Sequence, residues 1–423
     1  MKITNIGIIG LGTVGTGVIK TLQNFNHISI KKVAVKNINK KRDIENFDMS
    51  LLTDNPEEVV NNPEIDIVVE VVGGIEPVFG LLKTAINNGK HIVTANKELL
   101  AKHGEELFGL AKEKNVVILY EAAIAGGIPI IMPIKTILGA NKITNISAIL
   151  NGTTNYILTK MDELGVSYEE VLKEAQALGY AETNPTGDVE GFDAAYKIAT
   201  LATIAFNQRV DIHKIYREGI TKISAKDMEF AKEFGYKIKL IALAQMTDDN
   251  KVDVRVHPMF VSKNRVLAHV NGVTNAVMLK GNPVGEVMFT GPGAGEMPTA
   301  SSVVGDILAL AVEINASNYP LPMMRCRHEG KADQIDIKDT YNKYYISINA
   351  ADNPGVIGLV GTLCGKHNLN LANILQKGVN ADGTAEIIII TAQSRESDAR
   401  NALHEMLKSG SINKINSLIR VMD

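Results

Sequence analysis

Residues 179–197 read GYAETNPTGDVEGFDAAYK. Four carboxylates, Glu182, Asp188, Glu190 and Asp193, crowd ahead of Lys197. After Asp193 the run AAYKIATLATIAF is apolar around nearly its whole helical circumference, the pattern of a helix buried on every side. Lys197 follows Asp193 by one turn, so the two head groups share a face. On a surface such a pair is worth only about 0.3–0.5 kcal/mol and means little. Inside an apolar helix, a lysine costs far more unless it is paired or neutralised. A lysine so placed, with its proton affinity set by burial or by carboxylates, is what a proton donor uses. Lys197 is therefore a candidate catalytic acid. Glu182 and Asp188 lie in a loop containing a proline and two glycines. They either bind the ammonium group of an amino-acid substrate, or orient Lys197, or serve as turn and cap residues, Asp188 preceding an apolar helix.

A second constellation opens the chain. GLGTVG places Gly10, Gly12 and Gly15 directly after a strand-like run and at the start of a helical one. In this context the first glycine makes the tight turn, the second admits a pyrophosphate and the third lets helix and strand pack. The helix N-terminus then presents free N–H groups to the phosphates. An acidic residue about 20 positions on would read NAD ribose hydroxyls. Here the second strand ends instead in Lys36, with Lys40, Lys41 and Arg42 behind it. Cations there favour the 2′-phosphate of NADP, with NAD the alternative; a solvated basic loop is the competing reading.

The elements that must position these groups are legible in outline. KITNIGIIG, ISIKKVAVK, IDIVVEVVG, KHIVTANK and NVVILYEAA read as strands alternating with helices. Continuous apolar strands suit a parallel sheet covered on both faces, so residues 1–130 form a doubly wound, Rossmann-type α/β domain. Residues 131–297 mix longer helices with strands, as an α+β catalytic and dimerisation domain. The small-residue helix at about 298–316 returns to the first domain. Residues 317–342 read as a linker, and 343–423 run strand–helix–strand–strand–helix–strand. A 423-residue chain with 45% hydrophobic and 22% charged residues is an ordinary multi-domain globular protein. A net charge of −3 favours neither nucleic acid nor an anionic membrane as partner. Two distant cysteines, Cys326 and Cys364, fit a reducing compartment and form no metal knuckle. Without a signal-like N-terminus or an apolar run of spanning length, the expected location is the cytoplasm.

The 179–197 segment closely resembles the homoserine dehydrogenase signature, a G-Y-A-E-x-D-P loop followed by D-V-x-G-x-D-A-x-x-K. TANKELLA (94–101), YEAAIAGGIPII (120–131), ILNGTTNYIL (149–158) and GPGAGEMPTASSVVGD (291–306) are similar to the family's other blocks, in family order. The resemblance covers about residues 1–320. It implies NAD(P)H-dependent, reversible reduction of L-aspartate 4-semialdehyde to L-homoserine, on the way to threonine, isoleucine and methionine. It assigns Lys197 as the acid that protonates the carbonyl oxygen during hydride transfer, and Lys97 as a second active-site lysine. It places Gly179, Glu182, Asp188 and Asp193 around the substrate. Gly10, Gly12, Thr13, Val14, Gly15, Lys36, Thr94, Lys97, Gly293 and Gly295 fall to the cofactor. The family's E-x-D-P aspartate is Asn184 here; a hydrogen-bonding or turn duty survives that change and a charge-based duty does not.

Two further implications come from the resemblance alone. The family's EAAIAGGIP loop holds a monovalent cation, usually sodium, through backbone carbonyls, here those of Glu121, Ile124, Gly126 and Ile128. The tail ADNPGVIGLVGTLCGKHNLNLANI is similar to ACT domains, small βαββαβ modules that bind amino acids. Asp352, Asn353, Pro354 and Gly355 open its first loop, where an effector such as threonine is expected. ACT modules pair across subunits, which implies a homodimer or homotetramer. The competing, non-catalytic reading is an amino-acid sensor whose nucleotide domain is passive.

Overall fold

In a computed structural model of the chain, the described residues are 3–42, 44–316, 328 and 330–423. They divide into two compact units. One comprises residues 1–146, 196–212 and 274–332, and the other comprises 147–195, 213–273 and 333–423.

The first unit is built on a six-stranded parallel sheet. Its spatial order is Leu52–Thr53, Ile28–Ala34, Thr4–Ile9, Ile67–Glu70, His91–Thr94 and Ile118–Leu119. Strand order reverses beside Thr4–Ile9, at the carboxyl ends where such sheets take their ligands. The central strands are apolar along most of their length and buried except at Asn5, as a sheet flanked by two helical layers requires. The last expected strand is shorter than NVVILYEAA: after Leu119 the chain turns into the helix Ala122–Ala125. The helix Glu296–Asn315 packs in the same core, with Val303, Ile307 and Leu310 joining Ile6, Val18 and Val69. By length and composition it could cross a membrane, which corrects the expectation of no such run. Its apolar residues are used as core instead: Ala300, Val303, Ile307 and Leu310 are completely buried.

The second unit carries strands in the spatial order Tyr236–Met246, Val252–Ser262, Ile412–Met422, Tyr341–Ala351, Thr384–Thr391 and Leu371–Lys377. The last four, with the helices Val356–Lys366 and Glu396–Lys408, run βαββαβ along the chain. The C-terminal strand pairs antiparallel with Tyr341–Ala351 and parallel with Val252–Ser262, Met259 facing Arg420. One continuous ladder thus ties the βαββαβ module to the strands before it. Of the expected linker, residues 317–327 and 329, including Cys326, lie outside the described residues. Gly330–Lys331 is a short strand paired with Gln208–Arg209.

Candidate active site

At the nucleotide end, Gly12 is the N-cap of the helix Thr13–Leu22 and has no side chain to cap it, so no N-cap side chain satisfies the first-turn N–H groups. Gly10 has φ +108°, a conformation that favours glycine. A Cβ on Gly15 would lie 2.3 Å from the Gly10 carbonyl oxygen, whereas one on Gly12 would meet nothing within 4 Å. The three glycines therefore have three different duties: turn, opening and close packing. Gly12 is the one that leaves room for a ligand.

Lys36 and Lys40 are exposed just beyond the end of the Ile28–Ala34 strand. Arg42 does not share their freedom. Its guanidinium donates to the carbonyls of Asn37 and Lys40, both at 2.8 Å, and so braces its own loop.

At the carboxyl ends of the next two strands, Thr94 Oγ1 donates to Glu70 Oε2 at 2.5 Å. The other oxygen of Glu70 accepts from the N–H groups of Val72 and Gly73. Asn96 donates to the Gly74 carbonyl and accepts from Leu99, capping the helix Lys97–Glu113. Lys97 is thus the first residue of a capped helix, set at the rim of the sheet. Thr94 acts here as a clasp between strand ends through a fully buried carboxylate. Glu70 was missed in the sequence reading, although an acid ending the apolar run IDIVVE was its signal.

Gly293 and Gly295 lead into the long helix of the first unit. A Cβ on Gly293 would fall 1.9 Å from Asn275 Nδ2, and Gly295, at φ +127°, caps the Glu296–Asn315 helix. The 121–128 turn is buried beside them. Gly126, at φ +59°, ends the Ala122–Ala125 helix, and its carbonyl accepts from Ser302 Oγ at 2.6 Å. The Glu121 carboxylate accepts from three successive backbone N–H groups, those of Ile130, Ile131 and Met132, at the start of the helix Ile131–Lys135. Its side chain is therefore committed to capping. Asp306 accepts from the Glu121 N–H, and burial, with the nearby Glu121 carboxylate, pushes its own carboxyl well above the usual range. Among the described residues no group of three His, Cys, Asp or Glu side chains is placed to hold a metal.

In the second unit the acidic loop takes shape. Gly179, at φ +76°, turns the chain after the helix Tyr168–Ala177, and Glu182 is exposed. Asn184 Oδ1 accepts from Thr186 Oγ1 and the Thr186 N–H, so the residue that departs from the family pattern performs a turn duty. Asp188 does not cap the long helix: it lies within the short helix Thr186–Val189, and its carboxylate accepts from Asn151 Nδ2 at 2.7 Å. The same nitrogen donates to Asp193 Oδ2 at 3.0 Å. Arg217 steadies the loop, donating to the Glu190 carbonyl and lying 3.3 Å from the Phe192 ring centroid. Asp193 opens the helix Phe192–Phe206, on which Lys197 follows one turn later. Lys197 is 8% exposed, which removes the reading of a solvated surface pair. The sequence pattern alone assigns Asn151 no role. Its signal was an Asn directly before a helix.

In the C-terminal βαββαβ module, Gly355, at φ +93°, is the N-cap of the Val356–Lys366 helix. Asp352 accepts from Gln376 Nε2 at 2.8 Å. Asn353 and Pro354 complete the turn between them.

Two family models match the chain. "Homoserine dehydrogenase, NAD binding domain" covers residues 10–121 and "Homoserine dehydrogenase" covers 129–308. A homoserine dehydrogenase of Synechocystis is 44% identical over 430 residues, covering 99% of this chain and 99% of that protein. The chain belongs to the homoserine dehydrogenase family. The crystal structure of a homoserine dehydrogenase from Thiobacillus denitrificans matches with a TM-score of 0.94 at 38% identity, over 100% of this chain and 99% of that one. A hyperthermophilic archaeal homoserine dehydrogenase in complex with NADPH matches with a TM-score of 0.61 at 28% identity, over 74% of this chain and 98% of that one. Family membership makes this an NAD(P)-dependent oxidoreductase with L-homoserine and L-aspartate 4-semialdehyde as its substrates.

Proposed function

We propose that Lys197 supplies the proton to the aldehyde oxygen of L-aspartate 4-semialdehyde as a hydride arrives from the nicotinamide. The observation that carries this reading is a buried lysine one turn after Asp193 on the helix Phe192–Phe206, the Asp193 carboxylate being tied through Asn151 to Asp188. Asp193, Asp188 and Glu182 bind the amino and hydroxyl side of the substrate, with Gly179 shaping the loop, and Lys97 attends the nicotinamide and the substrate together. NAD(P) supplies the hydride, and the protein's task is to orient the aldehyde and hold a proton at its oxygen. The open space at Gly12 and the uncapped helix start suit a pyrophosphate. Thr13, Val14, Thr94, Gly293 and Gly295 line the same cofactor. NADP is the preferred form, read by Lys36 and Lys40.

The 121–128 turn suits a hard monovalent cation, sodium first, because its donors are carbonyl oxygens and the Glu121 side chain is otherwise engaged. The carbonyls of Glu121, Ile124, Gly126 and Ile128 would hold it. The C-terminal βαββαβ module acts as an ACT domain that takes an amino-acid effector such as threonine at the Asp352–Gly355 turn. It pairs across subunits of a homodimer or homotetramer in the cytoplasm. The division into a nucleotide domain to residue 130, a catalytic domain to 297, a linker to 342 and an ACT domain is part of this proposal.

The experiment is a nicotinamide-absorbance assay with L-homoserine, with NADP⁺ and NAD⁺ compared, on wild type and Lys197→Ala. Loss of a positioned acid costs about 10²–10⁴-fold in kcat. The variant should lose turnover to that extent while binding NADPH as wild type does. Retained turnover would remove Lys197 from the role.

A further inference from the structure

We infer that Asn151 is a positioning residue for the homoserine reaction, holding the two substrate-side aspartates at a fixed separation through one amide nitrogen. The inference rests on the proposed reading that Asp188 and Asp193 serve the substrate.

Asn151 has two distinct jobs, one on each end of its side chain. Its Oδ1 accepts from the Thr154 N–H at 2.9 Å and from Thr154 Oγ1 at 3.0 Å, capping the helix Gly152–Leu164. A backbone N–H only donates, so the amide has one orientation: oxygen to the helix, nitrogen to the acids. Nδ2 carries two hydrogens, and two carboxylates stand within reach, Asp188 Oδ1 at 2.7 Å and Asp193 Oδ2 at 3.0 Å. One N–H serves each. Asn151 is 5% exposed, so water does not compete strongly for these donors.

The chemistry explains the choice of an amide. Two carboxylates near one point repel each other, and a neutral donor bridging them sets their spacing without cancelling their charge. A lysine at the same point would neutralise the pair and compete with the substrate ammonium. An aspartate would add a third negative charge. A serine would keep the cap, since serine caps as well as asparagine, but it cannot reach both acids with two N–H donors.

That asymmetry gives the test. Asn151→Ser and Asn151→Asp both retain a strong capping oxygen and both remove the two N–H donors. We expect Asn151→Ser to lower kcat/KM for L-homoserine about 10- to 100-fold, mainly through KM, with the KM for NADP⁺ and the thermal midpoint close to wild type. Asn151→Asp should be worse than Asn151→Ser, because it turns a donor facing two carboxylates into a third acceptor. If Asn151→Ser does not fold, Asn151→Thr replaces it with a similar cap. A merely structural role predicts the opposite pattern: a lowered thermal midpoint, a reduced active fraction and an unchanged KM for homoserine. That result overturns the inference, as does wild-type kcat/KM in the serine variant or an aspartate variant no worse than it. Asp193→Asn, run alongside, separates the two levels. Full activity in Asp193→Asn would sink the reading of the aspartates themselves. Its impairment beside an unaffected Asn151→Ser would sink only the role of Asn151.

Discussion

Arg420 and Glu396 face each other as a two-pronged ion pair with both side chains buried: Nε lies 3.0 Å from Oε2, and Nη2 reaches Oε1. Arg420 belongs to the C-terminal strand and Glu396 begins a helix of the βαββαβ module. Arg420 also reaches Glu218 at 3.0 Å and lies over the Tyr216 ring, one residue either side of the Arg217 that steadies the acidic loop. Removing one partner from such a pair leaves an uncompensated buried charge and costs about 3–5 kcal/mol. Glu396→Gln should therefore lower unfolding stability by roughly that amount, read from urea midpoints. Burial pushes the Glu396 carboxyl up, but the Arg420 guanidinium, joined by Arg400, outweighs it and holds the carboxyl below its ordinary value of 4.5. A lowered folded pKa contributes stability above the unfolded value and loses it as pH falls through the folded one. The wild type should weaken below about pH 4.5 in a way that Glu396→Gln does not.

The glycines of the nucleotide loop should separate stability from cofactor binding. Gly12→Ala places a methyl in open space, so stability should change by about 1 kcal/mol or less, while the KM for NADPH rises sharply. Gly15→Ala drives a methyl against the Gly10 carbonyl and should cost about 1–3 kcal/mol whether or not cofactor is present. Thermal unfolding with and without NADPH checks both. Equal effects on stability would contradict the division of labour.

Lys239 offers a pH signature. Its ammonium is buried and donates to the Val270 carbonyl at 2.6 Å and to Asn155 Oδ1 and Asn271 Oδ1, each at 3.1 Å. Burial, helped by Lys237, brings its pKa from 10.5 down to about 7. The unfolded chain then binds more protons than the folded one between those values. The stability contributed by this group rises with pH from about 7 to about 10.5 and is flat below about 7. Denaturation of wild type and Lys239→Met across that window should show the slope in the first and its loss in the second.

Cofactor choice should respond to Lys36. Reversing its charge with Lys36→Glu should lower the NADP⁺ over NAD⁺ ratio of kcat/KM by about tenfold, the worth of one charge-assisted contact to a phosphate. Arg42→Ala should instead act through the loop that Arg42 braces, lowering stability with a smaller change in that ratio. An unchanged ratio in Lys36→Glu would assign the basic stretch to solvent.

Much of this architecture was legible because it rests on local periodicity. Apolar runs between helical segments declare a parallel sheet, and GLGTVG declares its nucleotide end. The alternation after residue 340 declares the βαββαβ module. Lys197 could be singled out because a charge within an apolar helix is a local contradiction. Glu70, Asn151 and Arg42 were not legible in the same way. Each has its role from partners: Glu70 from Thr94, Asn151 from two aspartates about forty residues on, Arg42 from carbonyls of its own loop.

By itself, then, the sequence determined the residue types, their helical and strand periods and the short motifs, because these depend on neighbours within a few positions. It thereby determined a Rossmann-type nucleotide end, a lysine destined for burial and the family of the chain. Only the tertiary structure decided which carboxylates share a donor and which arginine is tied down. It also decided that an apolar helix of membrane-spanning length is core, and that the C-terminal strand continues the sheet of the strands before it. Those outcomes depend on which distant segments meet, and on whether a polar atom inside finds a partner there. Side-chain type alone cannot specify either.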